Sequence, residues 1–190
     1  MNIEEIKQQL AGGEWISFAP EIRPSIVKIA SGDIKPLYCS RRFVYSGTDR
    51  FLLDFITYAD PYGQVPLAEM RIAGHVKYGD PLPITPGAYE ADYVADEGFS
   101  ITLLSSAFVS ALNSIPQTEG IQPWELHVPQ DVLGKSVPAF GLKEGEYFIE
   151  YDLIYIHDNL LFNGSRNVDG RPFDKPENRP TNLQVPLIRK

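Results

Sequence analysis

The chain begins on a helical period and then abandons it. Ile3, Ile6 and Leu10 share one face, Asn2 with Glu5 makes a capping-box pattern, and Gly12-Gly13 stops the run, which predicts a helix within residues 1–12. From Trp15 onward apolar positions recur every second residue. That spacing predicts strands at Trp15 to Phe18, Tyr38 to Tyr45, Phe51 to Tyr58, Pro66 to Tyr78, Ala88 to Ala95 and Gly98 to Leu104. It predicts further strands at Trp124 to Val128, Ala139 to Leu142, Tyr147 to His157 and Leu160 to Phe162. Ser46-Gly47-Thr48-Asp49 joins two of them as a hairpin, while Pro20 to Pro24 reads as a Pro-bounded connection. One interruption is helical: Phe108, Ala111, Leu112 and Ile115 recur at helix spacing before Pro116, which places an inserted helix at 105–115. Beyond Arg166 the chain is rich in Pro, Asn and Arg, and residues 166–190 read as an extended, surface-wrapping tail.

About nine or ten short strands with turn residues between them indicate an all-β fold, an antiparallel barrel of the calycin or lipocalin kind or a strongly curved sheet. Strands do not alternate with long helices, which excludes a parallel α/β sheet. No repeat or linker divides the chain, so a single domain over 1–190 is expected. Two strands are apolar on both faces. In Tyr147 to His157, the set Phe148, Glu150, Asp152, Ile154 and Ile156 alternates with Tyr147, Ile149, Tyr151, Leu153 and Tyr155. Leu37 to Tyr45 does the same, with Arg41 among Cys39, Phe43 and Tyr45. Either the interior holds an apolar ligand in a cavity, or helix, tail or a partner subunit covers the outer face; the period alone does not assign inside and outside.

Composition narrows the function classes. The 190 residues carry 17 Lys and Arg against 25 Asp and Glu, a net charge of −8, without the clustered basic residues that a phosphate backbone requires. No stretch approaches the roughly 20 apolar residues of a membrane span, and the polar start is no secretory signal. A single cysteine, Cys39, forms no internal disulfide, and together these features predict a cytoplasmic protein.

Motif chemistry is sparse. His75, His127 and His157 lack second ligands at metal-site spacing, so no metal is expected. Cys39 has no placed base, and neither a nucleophile elbow nor a phosphate-cradling glycine loop is present, so no cofactor is expected. Charges inside strands are more informative. Arg41 lies in an aromatic strand, Glu90 and Asp92 share a face, as do Glu69 and Arg71, and Glu21 and Arg23 flank Ile22. Pointing inward, they would have to pair, and would read a ligand's carboxylate or carbonyl or act as acid and base; pointing outward, they are cross-strand ion pairs.

Gly13-x-Trp15 after a short helix resembles the opening of lipocalin-type barrels, where the Trp plugs the barrel end. The run Leu10-Ala11-Gly12-Gly13-Glu14-Trp15-Ile16-Ser17, followed by Pro20-Glu21-Ile22-Arg23-Pro24, resembles the adenomatosis-polyposis-coli-down-regulated (APCDD) domain family. The pattern continues through Ser40-Arg41-x-Phe43-x-Tyr45, Tyr58-Ala59-Asp60-Pro61 and Gly87-x-x-Glu90-x-Asp92-Tyr93. It closes with Leu160-Leu161-Phe162-Asn163-Gly164-x-Arg166, Pro176-Glu177-x-Arg179-Pro180-Thr181 and Gln184-x-Pro186-Leu187. The resemblance implies a barrel-like domain with an apolar cavity; animal members restrain acylated Wnt signals. Pro20 and Gly63 stand where the family has cysteines, which implies a single-domain, intracellular, microbial relative without the disulfides or the Wnt role.

The expected function is therefore binding of a hydrophobic or amphipathic small molecule, fatty-acyl-like or aromatic, inside the barrel. Expected contacts are Trp15, Glu21, Arg23, Arg41, Phe43, Tyr58, Glu90 and Tyr93, with Arg41 at the polar end of the pocket. The alternative is a cofactor-independent isomerase, cyclase or lyase in the same cavity, with Glu21, Arg41, Glu90 and Asp92 as candidate catalytic groups. A third reading is an interaction module using a sheet edge or the tail, with a homo-oligomer left open.

Overall fold

A computed structural model of the chain describes residues 1–28, 32, 34–167 and 169–190. Helix α1 (Ile3–Leu10) has the predicted capping box, with Asn2 and Glu5 side chains each accepting from the other's backbone amide. It is followed by β1 (Glu14–Ile16), β2 (Glu21–Lys28), β3 (Ile34–Ser46), β4 (Arg50–Tyr58), β5 (Pro66–Pro81) and β6 (Tyr89–Leu103). Helix α2 (Ser106–Asn113) is capped by Ser105 and precedes β7 (Pro129–Asp131), β8 (Phe148–His157), β9 (Leu160–Phe162) and β10 (Leu187–Arg189). No helix among the described residues is long and apolar enough to cross a membrane.

All ten strands belong to one antiparallel sheet, and its path closes on itself. β1 pairs with β10 on one side and β3 on the other, so the ring runs β1-β3-β4-β5-β6-β8-β9-β10 and back to β1. β2 extends the β1 edge of β3, and β7 pairs with β6. Closure removes most of the unpaired edge that an open sheet would expose. One face of each strand points into the ring. Cross-strand rows such as Phe43-Leu53-Ile72-Phe99 and Arg41-Phe55-Met70-Ile101 line the inside. Helix α1 plugs one end: Ile6 and Leu10 are buried in the core, and Ala11 bridges to Tyr45. At the opposite end, formed by the starts of β3, β5 and β8 and the ends of β4 and β6, Ala68 and Leu103 are fully buried, and α2, which follows β6, packs Phe108, Val109 and Leu112 against the core.

Four sequence expectations need correction. Ala88 to Ala95 and Gly98 to Leu104 are one continuous strand, because Asp96-Glu97-Gly98 forms a bulge against β5 rather than a turn. Trp124 to Val128 is not a strand: Leu126 makes only an isolated bridge to Leu103, and His127 adopts a left-handed φ of 64°. Ala139 to Leu142 gives way to a 3₁₀ turn at Pro138–Phe140, with Pro at its start. Conversely, the Pro-bounded connection after Pro20 is a strand, β2, whose prolines sit on an edge where a missing amide costs little. The tail is largely irregular, with a 3₁₀ turn at Pro176–Asn178 and β10 at its end; Val168 lies outside the described residues.

The doubly apolar β8 has a structural explanation. Leu153 and Ile154 point to opposite faces and both are fully buried. Ile154 faces the ring interior, while the tail lies over the other face: Tyr151 donates its amide to the Phe173 carbonyl (2.7 Å), and the Arg179 guanidinium stacks over Tyr151. Two glycines are demanded by close approach. A Cβ on Gly164 would run into Pro180 where the tail crosses, and one on Gly74 would run into the Val94 carbonyl at the bulge.

Gly98, across the same bulge, would place a Cβ only 3.8 Å from Ala73 Cβ. Gly74→Ala is therefore expected to destabilise by about 3 kcal/mol or more, while Gly98→Ala changes stability by less than about 1 kcal/mol. Urea unfolding of the two variants beside the parent checks this contrast.

Candidate functional site

The two halves of the ring interior differ. Toward α1 it is filled with rings: Phe43 and Tyr45 stack at 5.5 Å, Phe51 meets Tyr93 edge-on at 5.1 Å, and Trp15 is buried beside the Phe43 row. The space between Lys7, Leu10, Tyr45 and Tyr78 holds no free volume, and a pocket beside α2, lined by Leu112, Ile115, Trp124 and Val137, holds about 20 Å³. A small-molecule site needs roughly 300 Å³ or more, so neither qualifies. Toward the opposite end the same inward rows carry Phe55 and Met70, and Phe148 packs edge-on against Phe99; all three are only half-buried.

Between these halves runs a buried polar network. Arg41, on β3 and 4% exposed, donates from Nε to Glu21 Oε1 (2.8 Å), from Nη1 to Asn163 Oδ1 (2.9 Å) and from Nη2 to the Val185 carbonyl (3.3 Å). Ser17 Oγ donates to Glu21 Oε1 (2.6 Å), and Gln184 Nε2 donates to Glu21 Oε2 (3.0 Å). Asn163 Nδ2 in turn donates to the Tyr93 hydroxyl (3.1 Å), which lies 2.9 Å from that of Tyr45. Burial would raise the Glu21 carboxyl, but the charges of Arg41 and Arg23, with the hydrogen bonds from Arg41 and Ser17, bring it below its ordinary value. Burial holds both tyrosine hydroxyls well above the ordinary phenol value, so they remain neutral donors and acceptors.

Arg23 lies on the same face of β2 as Glu21, nine-tenths buried, and its guanidinium sits 5.5 Å over the Phe55 ring. Its Nη2 is 3.9 Å from Glu21 Oε2, and its Nε has no hydrogen-bond partner. Across the interior on β8, Asp152 Oδ1 accepts from the Leu153 and Gly164 amides, both at 2.7 Å. Burial, reinforced by the neighbouring Glu150 charge, pushes the Asp152 carboxyl up to about 7. Cys39 is a buried free thiol, raised by burial and so a poor nucleophile despite Arg23 and Arg41 nearby. Among the described residues, no group of three or more His, Cys, Asp or Glu is arranged to hold a metal ion.

The residues singled out from the sequence are distributed over three places. Glu21, Arg23 and Arg41 come together as one cluster, and Tyr93 joins it through Asn163. Trp15 and Phe43 lie in the filled aromatic half, with Arg189 5.7 Å over the Trp15 ring. Tyr58, Glu90 and Asp92 are on the outer face of the ring. Tyr58 hydrogen-bonds Ser40 (2.9 Å), while Glu90 and Asp92 are bridged by Arg179 of the tail at 3.3 and 2.8 Å. Asp60 of the Tyr58-Ala59-Asp60-Pro61 motif is a turn residue, accepting from the amides of Tyr62, Gln64 and Val65. Asn163, Gln184, Ser17 and Asp152 belong to the site without having been picked out. Asp152 stood out as a charge among apolar residues of one strand face, while Ser17, Asn163 and Gln184 stood only inside the motif runs, with no sign of their role. No family model matches the chain.

Two predictions follow from this geometry. Arg41→Met strands Glu21 as an uncompensated buried charge and is expected to cost about 3–5 kcal/mol, whereas the double variant Glu21→Gln with Arg41→Met costs clearly less; urea unfolding in a double-mutant cycle measures the difference. Asp152 has an ordinary value of 3.8 and a folded value of about 7, so the folded state retains a proton that the unfolded chain releases between those pH values. Its stabilising protonation is complete below about pH 4 and is lost as pH rises through about 7. Asp152→Asn, which keeps the Oδ1 acceptor, should match the parent near pH 4, exceed it increasingly between about pH 4 and 7, and keep a constant margin above that in urea midpoint.

Proposed function

We propose that the protein binds an amphipathic small molecule, fatty-acyl-like or aromatic, in the half of the strand ring away from α1, which we read as a calycin-like barrel of a cytoplasmic carrier. One observation carries this reading. The inward faces are filled with packed rings at the α1 end but present half-buried Phe55, Met70 and Phe148 at the other, next to a buried guanidinium. Apolar side chains on an inward face, bordered by a few convergent polar groups, are the usual make-up of a ligand site. The resemblance of the chain to APCDD domains supports the same reading. Polar groups behind the apolar walls are already satisfied by one another, so they hold the end of the site rigid.

Native mass spectrometry of freshly purified protein should find a co-purifying small molecule, and acyl or aromatic probes should raise the melting temperature. Met70→Glu, a change at a half-exposed position, should abolish that shift while the unliganded protein still folds. A clean unliganded mass together with no shift across the panel would overturn the proposal.

A second reading is favoured by Asp152. A carboxyl poised near neutrality beside Glu150, on the strand facing Arg23, suits a general acid or base, so the bound molecule would be isomerised, cyclised or cleaved without a cofactor. Chemical change of a bound molecule that stops in Asp152→Asn while binding persists would distinguish this reading from carriage.

A further inference from the structure

We propose that the ligand bound in this half of the ring carries an anionic head group, a carboxylate or an equivalent monoanion, and that Arg23 is the residue that receives it. This deepens the reading above and rests on it. Arg23 is buried to nine-tenths, yet its Nε is unpartnered. A buried polar nitrogen without an acceptor costs about 1–3 kcal/mol, more when it belongs to a charged group, so a native structure rarely leaves one idle.

Most acceptors around Arg23 are committed elsewhere, Glu150 and Asp152 Oδ2 being the exceptions among the described residues. Both Glu21 oxygens are taken, Oε1 by Arg41 and Ser17 and Oε2 by Gln184. Asp152 Oδ1 is taken by the Leu153 and Gly164 amides. On the outer face, Glu90 and Asp92 are engaged by Arg179. Arg23 Nε is left without a hydrogen-bond acceptor.

Charge points the same way. Arg23, Arg41 and Arg166 all act on the buried Cys39, so three cations converge on this region. Facing them are Glu21, Glu150 and Asp152, and Asp152 is partly protonated at neutral pH, so the acids do not fully balance the arginines. A carboxylate accepts two parallel hydrogen bonds from the Nε and Nη2 edge of a guanidinium. Its chain would then extend over Phe55, on which Arg23 already stacks, toward Met70. A neutral alcohol or ester offers neither the charge nor the fork.

The test compares dodecanoate with 1-dodecanol and methyl dodecanoate, all below their aggregation limits, by calorimetry and native mass spectrometry. Dodecanoate should bind the parent at least tenfold more tightly than either neutral probe. Arg23→Met should remove that preference while leaving weak binding of the neutral probes, and Arg23→Lys, which keeps a charge, should restore part of it. Circular dichroism and urea midpoints establish that both variants fold; should Arg23→Met fail to fold, Arg23→Lys and Arg23→Gln carry the comparison. Equal affinity for charged and neutral probes, or a preference that survives loss of the Arg23 charge, overturns the anionic assignment and leaves the carrier reading standing. Failure of all three probes to bind, alongside a clean unliganded mass, overturns both.

Discussion

The fold depends on a buried ion pair. Glu21 and Arg41 are almost fully desolvated, and a pair of this kind is tolerated only when nearly every donor and acceptor is filled. Here they are filled by residues far apart in the chain: Ser17 before β2, Asn163 after β9, and Gln184 and Val185 of the tail. The network thereby specifies what apolar packing alone would leave loose. It pins the β2–β3 register through Glu21 opposite Cys39, and it fixes the path by which the tail returns to deliver β10 to β1 and close the ring. Apolar burial supplies the bulk driving force, but it is indifferent to a slip of two residues; a charge pair held by four further residues is not.

The division of the interior follows from this arrangement. On the α1 side of the network the space is occupied by aromatic rings in edge and stacked contact, with Tyr45 and Tyr93 turning their hydroxyls toward Asn163. That half is core. On the other side the inward rows continue, since strands extend past the network, and α2 packs Phe108, Val109 and Leu112 against the core. The network is thus a floor beneath the half-buried Phe55, Met70 and Phe148.

Much of the fold was legible because the signals were local. Asn2 and Glu5 announced the capped helix, and Ser46 to Asp49 announced the β3–β4 turn. What failed was where the meaning of a residue depends on its partner strand. Asp96-Glu97-Gly98 has turn composition, yet β5 accommodates it as a bulge because Gly74 admits the Val94 carbonyl. Pro24 suggested a loop, yet an edge strand has no use for its missing amide on the open side. Glu21, Arg23 and Arg41 could be chosen from the sequence as charges in apolar strands, whereas Asn163 and Gln184 could not. Neutral amides carry no signature of burial until the chain brings an arginine and a glutamate against them. Tyr58, Glu90 and Asp92 illustrate the converse: alternation places them on the outer face, where Ser40 and Arg179 explain them.

Strand alternation also accounts for the incompletely satisfied Arg23. Glu21 must point inward to meet Arg41, and two residues along β2 the side chain returns to the same face, so Arg23 is carried inward by the pairing of its neighbour. A β2 built for stability alone would place an apolar residue there, over Phe55 and next to Met70 in the adjoining row, and would bury it at no polar cost. The protein instead keeps a guanidinium whose Nε goes without an acceptor. Its energetic cost is borne by the same network that makes the position inward-facing, which is why the cluster can hold an incompletely satisfied arginine rigidly in place. For the proposed anionic ligand, such a rigid, under-satisfied guanidinium beside the half-buried Phe55 and Met70 would be pre-organised: the ordering cost that a flexible arginine would incur on binding has already been met in folding.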